Sequence, residues 1–205
     1  MGTPFIGPSH LISKSQKGNL GEFISYQIAR TDYPTPPHRR FAGNGIKPLS
    51  KISGSGLDLA YLYFDAVNPK NDLLYIQEVK TTGAKSLGYF DELTSDYKKL
   101  FGVDPNLTLQ SRIQDIQNFL EYGEDDLQSA ERVGALKGNS PIECVKIHLI
   151  PTGVSSKEAG DPSTKMMAVR SSICALGWTE DQVKPWSIVM SDLDDRLVRM
   201  ARGQP

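Results

Sequence analysis

Asp58, Glu78 and Lys80 are the residues whose types and spacing could do chemistry. They lie in two runs rich in β-forming residues, 57–64 and 73–80. Alternation along a strand puts Glu78 and Lys80 on one face and Gln77 and Val79 on the other. The hydrophobic neighbours predict burial, and a buried charge needs a partner or a metal. Two carboxylates with a carbonyl oxygen, here that of Val79, suit a hard cation such as Mg²⁺ or Mn²⁺. Such an ion polarises a phosphate oxygen and lowers the pKa of bound water. A lysine ammonium has no lone pair for a metal. Lys80 is therefore expected to act on the water or on the charge of a pentavalent phosphate.

The elements that must position these groups follow from the same pattern. Asn68-Pro69-Lys70-Asn71-Asp72 is turn chemistry, so the two runs are predicted to form a hairpin. A turn centred near Pro69-Lys70 sets Asp58 opposite Lys80 and Glu78 opposite Ala60. The two acids are then diagonal neighbours at ~7–8 Å, close enough to share a cation. Upstream, an extended arm to about residue 14 leads into a helix over 15–29, with Leu20, Phe23, Ile24 and Ile28 as its apolar stripe. Glu22 flanks that stripe, and from position alone it reads as a solvated carboxylate facing the helix dipole. Residues 33–55, with four prolines counting Pro48, form a long connection carrying His38-Arg39-Arg40, where His38 reads as part of a solvated turn.

Downstream, Leu93, Tyr97, Leu100 and Phe101 predict a short helix, broken at 102–105. A second helix, capped by Asn106 or Thr108, runs to residue 122 with Leu109, Ile113, Ile116 and Leu120 inward. Gln110 and Arg112 lie off that stripe. Both are candidates to meet substrate; Arg112 could reach a phosphate, brace the carboxylates, or be simply solvated. A third helix spans 125–137. A strand at 142–150 holds His148 as a satisfied core histidine, and a loop covers 151–163. A helix at 166–176 has core methionines, a strand occupies 186–190, and a helix over 191–201 is capped by Ser191 or Asp192. The pattern predicts one domain over 1–205, a mixed α/β layer with a partly antiparallel sheet.

Composition narrows the classes. With 39% hydrophobic and 23% charged residues, the 205-residue chain belongs with globular proteins. No apolar run approaches the ~20 residues of a membrane span. The N-terminus lacks signal-peptide character, so a cytoplasmic protein is expected. Cys144 and Cys174 read as buried thiols. A net charge of −1 argues against holding nucleic acid by global electrostatics, so such an activity would need a local basic patch and a bound cation. The scattered histidines at 10, 38 and 148 exclude a HExxH zinc helix, and neither GxxxxGK[ST] nor GxSxG occurs. Gly43-Asn44-Gly45 and Gly54-Ser55-Gly56 read as turns.

At this point the chain resembles the PD-(D/E)xK nuclease superfamily, with its restriction-endonuclease-like fold. Gly56-Leu57-Asp58 stands where that family has its first acid, with Leu57 in place of the usual proline, and Glu78-Val79-Lys80 matches ExK. Glu22 matches the acid that many members carry on the helix before the core sheet. The resemblance covers about residues 18–82 and implies a mixed four-stranded sheet flanked by helices. It also implies Mg²⁺-dependent cleavage of DNA, with Asp58 and Glu78 on the metal, Lys80 in the chemistry and Glu22 assisting. The helix bearing Gln110 and Arg112 looks like that of bacterial polymorphic toxins, which implies an immunity protein as partner and action in a target cell's cytoplasm. Alternatives are a restriction, repair or junction-resolving endonuclease, and a non-catalytic nucleic-acid-binding module on the same fold.

Overall fold

The computed structural model describes residues 12–32, 38–42, 58–83, 85–123 and 126–203. The terminal arm to residue 11 and the two glycine pairs of the long connection lie outside the described residues. Among the described residues the sheet has five strands in sequential order: β1 His38–Ala42, β2 Leu59–Tyr63, β3 Leu73–Thr82, β4 Ile147–Ser156 and β5 Trp186–Met190. β1, β2 and β3 run as an antiparallel meander, and β3, β4 and β5 pair in parallel. The mixed α/β class read from the sequence is thus the observed one.

Among the described residues six α-helices flank the sheet: α1 Lys14–Asp32, α2 Glu92–Lys99, α3 Leu109–Asn118, α4 Leu127–Gly134, α5 Ser163–Cys174 and α6 Leu193–Ala201. One face buries Leu74, Ile76, Ile147 and Leu149 under α2 to α5, with Leu93, Ile113, Val133 and Val169 pointing in. The other face buries Tyr61, Val79, Ile150 and Val154 under α1 and α6, with Leu20, Ile24, Leu193 and Leu197. Each such aliphatic side chain contributes roughly 1.5–3 kcal/mol when fully buried. Lys17 on α1 donates to Asp194 on α6 at 2.8 Å, tying the second layer together. Among the described residues no helix is long and apolar enough to cross a membrane, and Cys144 and Cys174 are free thiols.

Several boundaries differ from the sequence reading. His38–Ala42 lies within the long connection, where a solvated turn was expected for His38, yet it pairs along β2 as an edge strand. The strand expected at 142–150 starts only at Ile147, after a 3-10 turn at Pro141–Glu143, and runs to Ser156 through the expected loop. Burial on both faces explains this: Ile147 to Ser156 lies between two parallel neighbours and shows no alternation. Of the expected core methionines Met166 is buried, but Met167 is half exposed. α6 starts after Asp192 in a left-handed conformation (φ 52°), with no side-chain cap.

The hairpin forms, but in a different register. Leu59 pairs with Gln77 and Ala60 with Ile76, so Glu78 falls level with Asp58 and not with Ala60. The cause lies in the turn. Asp65 accepts from the N–H groups of Val67 and Asn68 and from the Asn71 side chain, moving the centre back to Asn68. The two acids are therefore brought face to face, where a diagonal pair was expected.

Candidate active site

Glu22, Asp58, Glu78, Val79 and Lys80 all line one cavity of about 700 Å³. Its walls come from the start of α1, the end of β3, the helix α2 with the 3-10 turn Gly88–Asp91 before it, and Arg112 of α3. Segments spread from residue 13 to residue 112 meet there, each for a local reason.

α1 is started by a capping box. The Ser13 N–H donates to the Gln16 side chain, and the Gln16 N–H donates to Ser13 Oγ. It packs tightly because Gly21 faces Thr81: a Cβ there would stand 1.7 Å from Thr81 Oγ1. This contact lays Glu22, the next residue, along the cavity. Glu22 is the ninth residue of α1, beyond the first turn, so the dipole-facing reading does not hold. Burial, then Glu78, push its carboxyl up to about 7, against the pull of Lys80.

Asp58 accepts from the Val79 N–H at 2.8 Å. Burial and Glu22 nevertheless raise its carboxyl to about 7. Glu78 is buried and ion-paired through Oε1 to Arg112, itself only 2% exposed. Burial, then Asp58, push Glu78 up to about 8, with Arg112 opposing. Arg112 thus braces a carboxylate, one of the readings the sequence left open, and it is not solvated. Its Nε also donates to the Leu107 carbonyl at 3.3 Å. Thr108 caps α3 by accepting from Ser111, which sets the rotation that turns Arg112 inward. Gln110, by contrast, is exposed, donates to Asn139 and lines no part of this cavity.

Lys80 is held by Asp96 of α2, with Nζ 2.5 Å from Oδ2. Burial alone would lower its pKa, but Asp96, then Asp58 and Glu78, raise it overall. It is therefore an ammonium. α2 is locked to β3 by Tyr97, whose hydroxyl donates to the Ile76 carbonyl and accepts from the Glu78 N–H. Asp96 and Tyr97 escaped the sequence reading. Tyr97 looked like a member of an apolar stripe, and only the Asp96–Lys99 spacing hinted at an ion pair.

His148, outside the cavity, stacks on Tyr75 at 5.2 Å between ring centroids. Burial lowers its pKa, as suits a satisfied core histidine.

The donor set admits a hard cation in a limited way. Among the described residues no three His, Cys, Asp or Glu side chains are gathered as a ready cluster. Asp58 and Glu78 each spend one carboxylate oxygen on a donor and retain a second. Three acids that raise one another's pKa, Glu78 buried and Glu22 and Asp58 half-buried, make a site short of positive charge. Two carboxylates plus water and substrate oxygens suit Mg²⁺, which seldom takes an all-protein cage.

No family model, curated protein or solved structure matches this chain. The functional reading therefore rests on the site itself.

Proposed function

We propose that the chain is a metal-dependent nuclease of the PD-(D/E)xK class, hydrolysing DNA phosphodiesters on a restriction-endonuclease-like sheet. The observation that carries the reading is the meeting of Asp58, Glu78, Lys80 and Glu22 in one cavity. Asp58 and Glu78 would hold Mg²⁺ or Mn²⁺, with the Val79 carbonyl as a further oxygen. The ion, when bound, supplies Lewis-acid polarisation of the phosphate and a more acidic water.

The rest belongs to the chain. Arg112 and the Val79 N–H fix the two carboxylates, so that little reorganisation is needed when substrate arrives. Lys80, an ammonium beside Asp96, cannot take a proton and instead faces the negative charge that grows on the phosphate. Glu22, whose pKa lies near 7, is suited to accept the proton of the attacking water. As a biological setting we extend the proposal to an antibacterial toxin domain, restrained by an immunity protein and acting on DNA in a target cytoplasm.

Plasmid cleavage tests the chemistry. Mg²⁺ or Mn²⁺ should support cleavage and EDTA should stop it. Lys80→Met should keep calorimetric Mg²⁺ binding yet lower cleavage by ~10²-fold, the scale of a lost electrostatic group. Glu78→Gln should lose both. Cleavage undiminished in EDTA, or a Lys80→Met protein as fast as wild type, overturns the reading. DNA binding without cleavage in either metal would instead make the chain a binding module. Growth arrest on bacterial expression of wild type, but not of Lys80→Met, tests the toxin role.

A further inference from the structure

Lys80 does not stand alone on its wall. Asp96 also receives Lys99, whose Nζ donates to Oδ1 at 2.6 Å while Lys80 Nζ lies 2.5 Å from Oδ2. Two ammonium groups on the two oxygens of one carboxylate stand side by side. A lysine three residues along a helix from an aspartate is ordinarily a weak surface pair. This pair differs, because Asp96 is only 13% exposed, is shared with Lys80, and lines the cavity together with both lysines.

The two lysines also differ from each other. Lys80 is 17% exposed, whereas Lys99 is 47% exposed and stands nearer the solvent from which a ligand arrives. At Asp96 two ammonium groups meet one carboxylate, and Glu92, one turn earlier on α2, is the other acid of that wall. Glu22, Asp58 and Glu78, elsewhere in the cavity lining, repel an anion. A polyanion entering the cavity is drawn to the lysine wall.

We propose that Asp96 is a positioning residue that builds a two-lysine phosphate clamp. Lys80 faces the phosphate under attack, and Lys99 takes the next phosphate along the strand. The inference rests on the nuclease reading above and narrows the substrate to a strand with at least two adjacent phosphodiesters. A lone diester fills only the Lys80 half. Because a lysine meets a phosphate as a point charge, the contact is independent of base sequence.

Kinetics on two substrates test this, a labelled DNA oligonucleotide and bis(p-nitrophenyl) phosphate, each with Mg²⁺ or Mn²⁺. Lys99→Met should raise KM for the oligonucleotide about tenfold and reduce the salt-dependence slope by about one, as for a lost phosphate contact. The small diester, which does not reach Lys99, should change less than about twofold, and Lys99→Arg should restore the oligonucleotide. Asp96→Asn, which frees both lysines, should lower kcat on both substrates by about tenfold. Lys70→Met, in the hairpin turn away from the cavity, removes the same charge and serves as the control. If Lys99→Met matches wild type on the oligonucleotide, or loses equally on both substrates, the clamp is overturned while the nuclease reading stands. A wild type that cleaves neither substrate overturns the nuclease reading, and the clamp with it.

Discussion

Glu22 and Asp58 titrate near 7 and Glu78 near 8, all above the ~4 of an ordinary carboxyl, and burial is the largest cause in each case. Between about pH 4 and 8 the folded chain therefore holds protons that the unfolded chain has released. The contribution of these acids to stability is fully present below about pH 4 and is lost as pH rises through 7 to 8. Asp96 is shifted the opposite way: burial opposes, but Lys80 and Lys99 hold it low, so its contribution disappears only in acid. Without metal, the melting temperature should fall from pH 5.5 to 8.5, and Glu78→Gln, which cannot ionise, should flatten the fall. Thermal melts in EDTA check this; a melting temperature that climbs across that window would refute the assignment of desolvated, mutually repelling acids. The same protons compete with a cation, so Mg²⁺ affinity should strengthen over the same range.

At the scale of elements, the site depends on how closely α1 approaches β3. Gly21 is there because no side chain fits over Thr81, and Glu22 inherits its place from that contact. Gly21→Ala should destabilise the fold by ~1–3 kcal/mol, the usual range for overpacking, and should lower activity by moving Glu22. Thr81 Oγ1 is buried without a hydrogen-bond partner, so Thr81→Ala alone should cost little. Adding it to Gly21→Ala should recover part of the loss. Urea denaturation of the two single variants and the double variant gives the coupling; strict additivity would mean that α1 is positioned by something else.

The whole molecule places a charged cavity at the edge of two apolar layers that share one sheet. A ligand that binds the folded cavity, and not the unfolded chain, stabilises the entire fold by mass action. Mg²⁺ at a hundredfold excess over its Kd should add ~2.7 kcal/mol. For a chain of this length that corresponds to a rise of ~5–10 °C in melting temperature. Differential scanning calorimetry with Mg²⁺ should show the rise in wild type and none in Glu78→Gln. An equal rise in both proteins would place the ion elsewhere.

What the sequence determined by itself was whatever repeats locally. Alternation in 73–80 assigned Glu78 and Lys80 to one face, and helical spacing found Leu109, Ile113, Ile116 and Leu120, all buried as expected. Turn residues located the hairpin, and the charges inside apolar strands marked the cavity. Four things were legible in no period, and three of them depended on tertiary structure. The hairpin register shifted because Asp65 captured the turn, an outcome of competing hydrogen bonds that no period encodes. β4 ran on to Ser156 because neighbours on both sides supply its pairing. Arg112 turned inward because Glu78 offered a buried countercharge from 34 residues away. Asp96 became the partner of Lys80 only once Tyr97 had docked α2 onto β3. Periodicity fixes which face a residue occupies, but which charge meets which is decided by chain packing, where desolvation makes every unpaired group expensive.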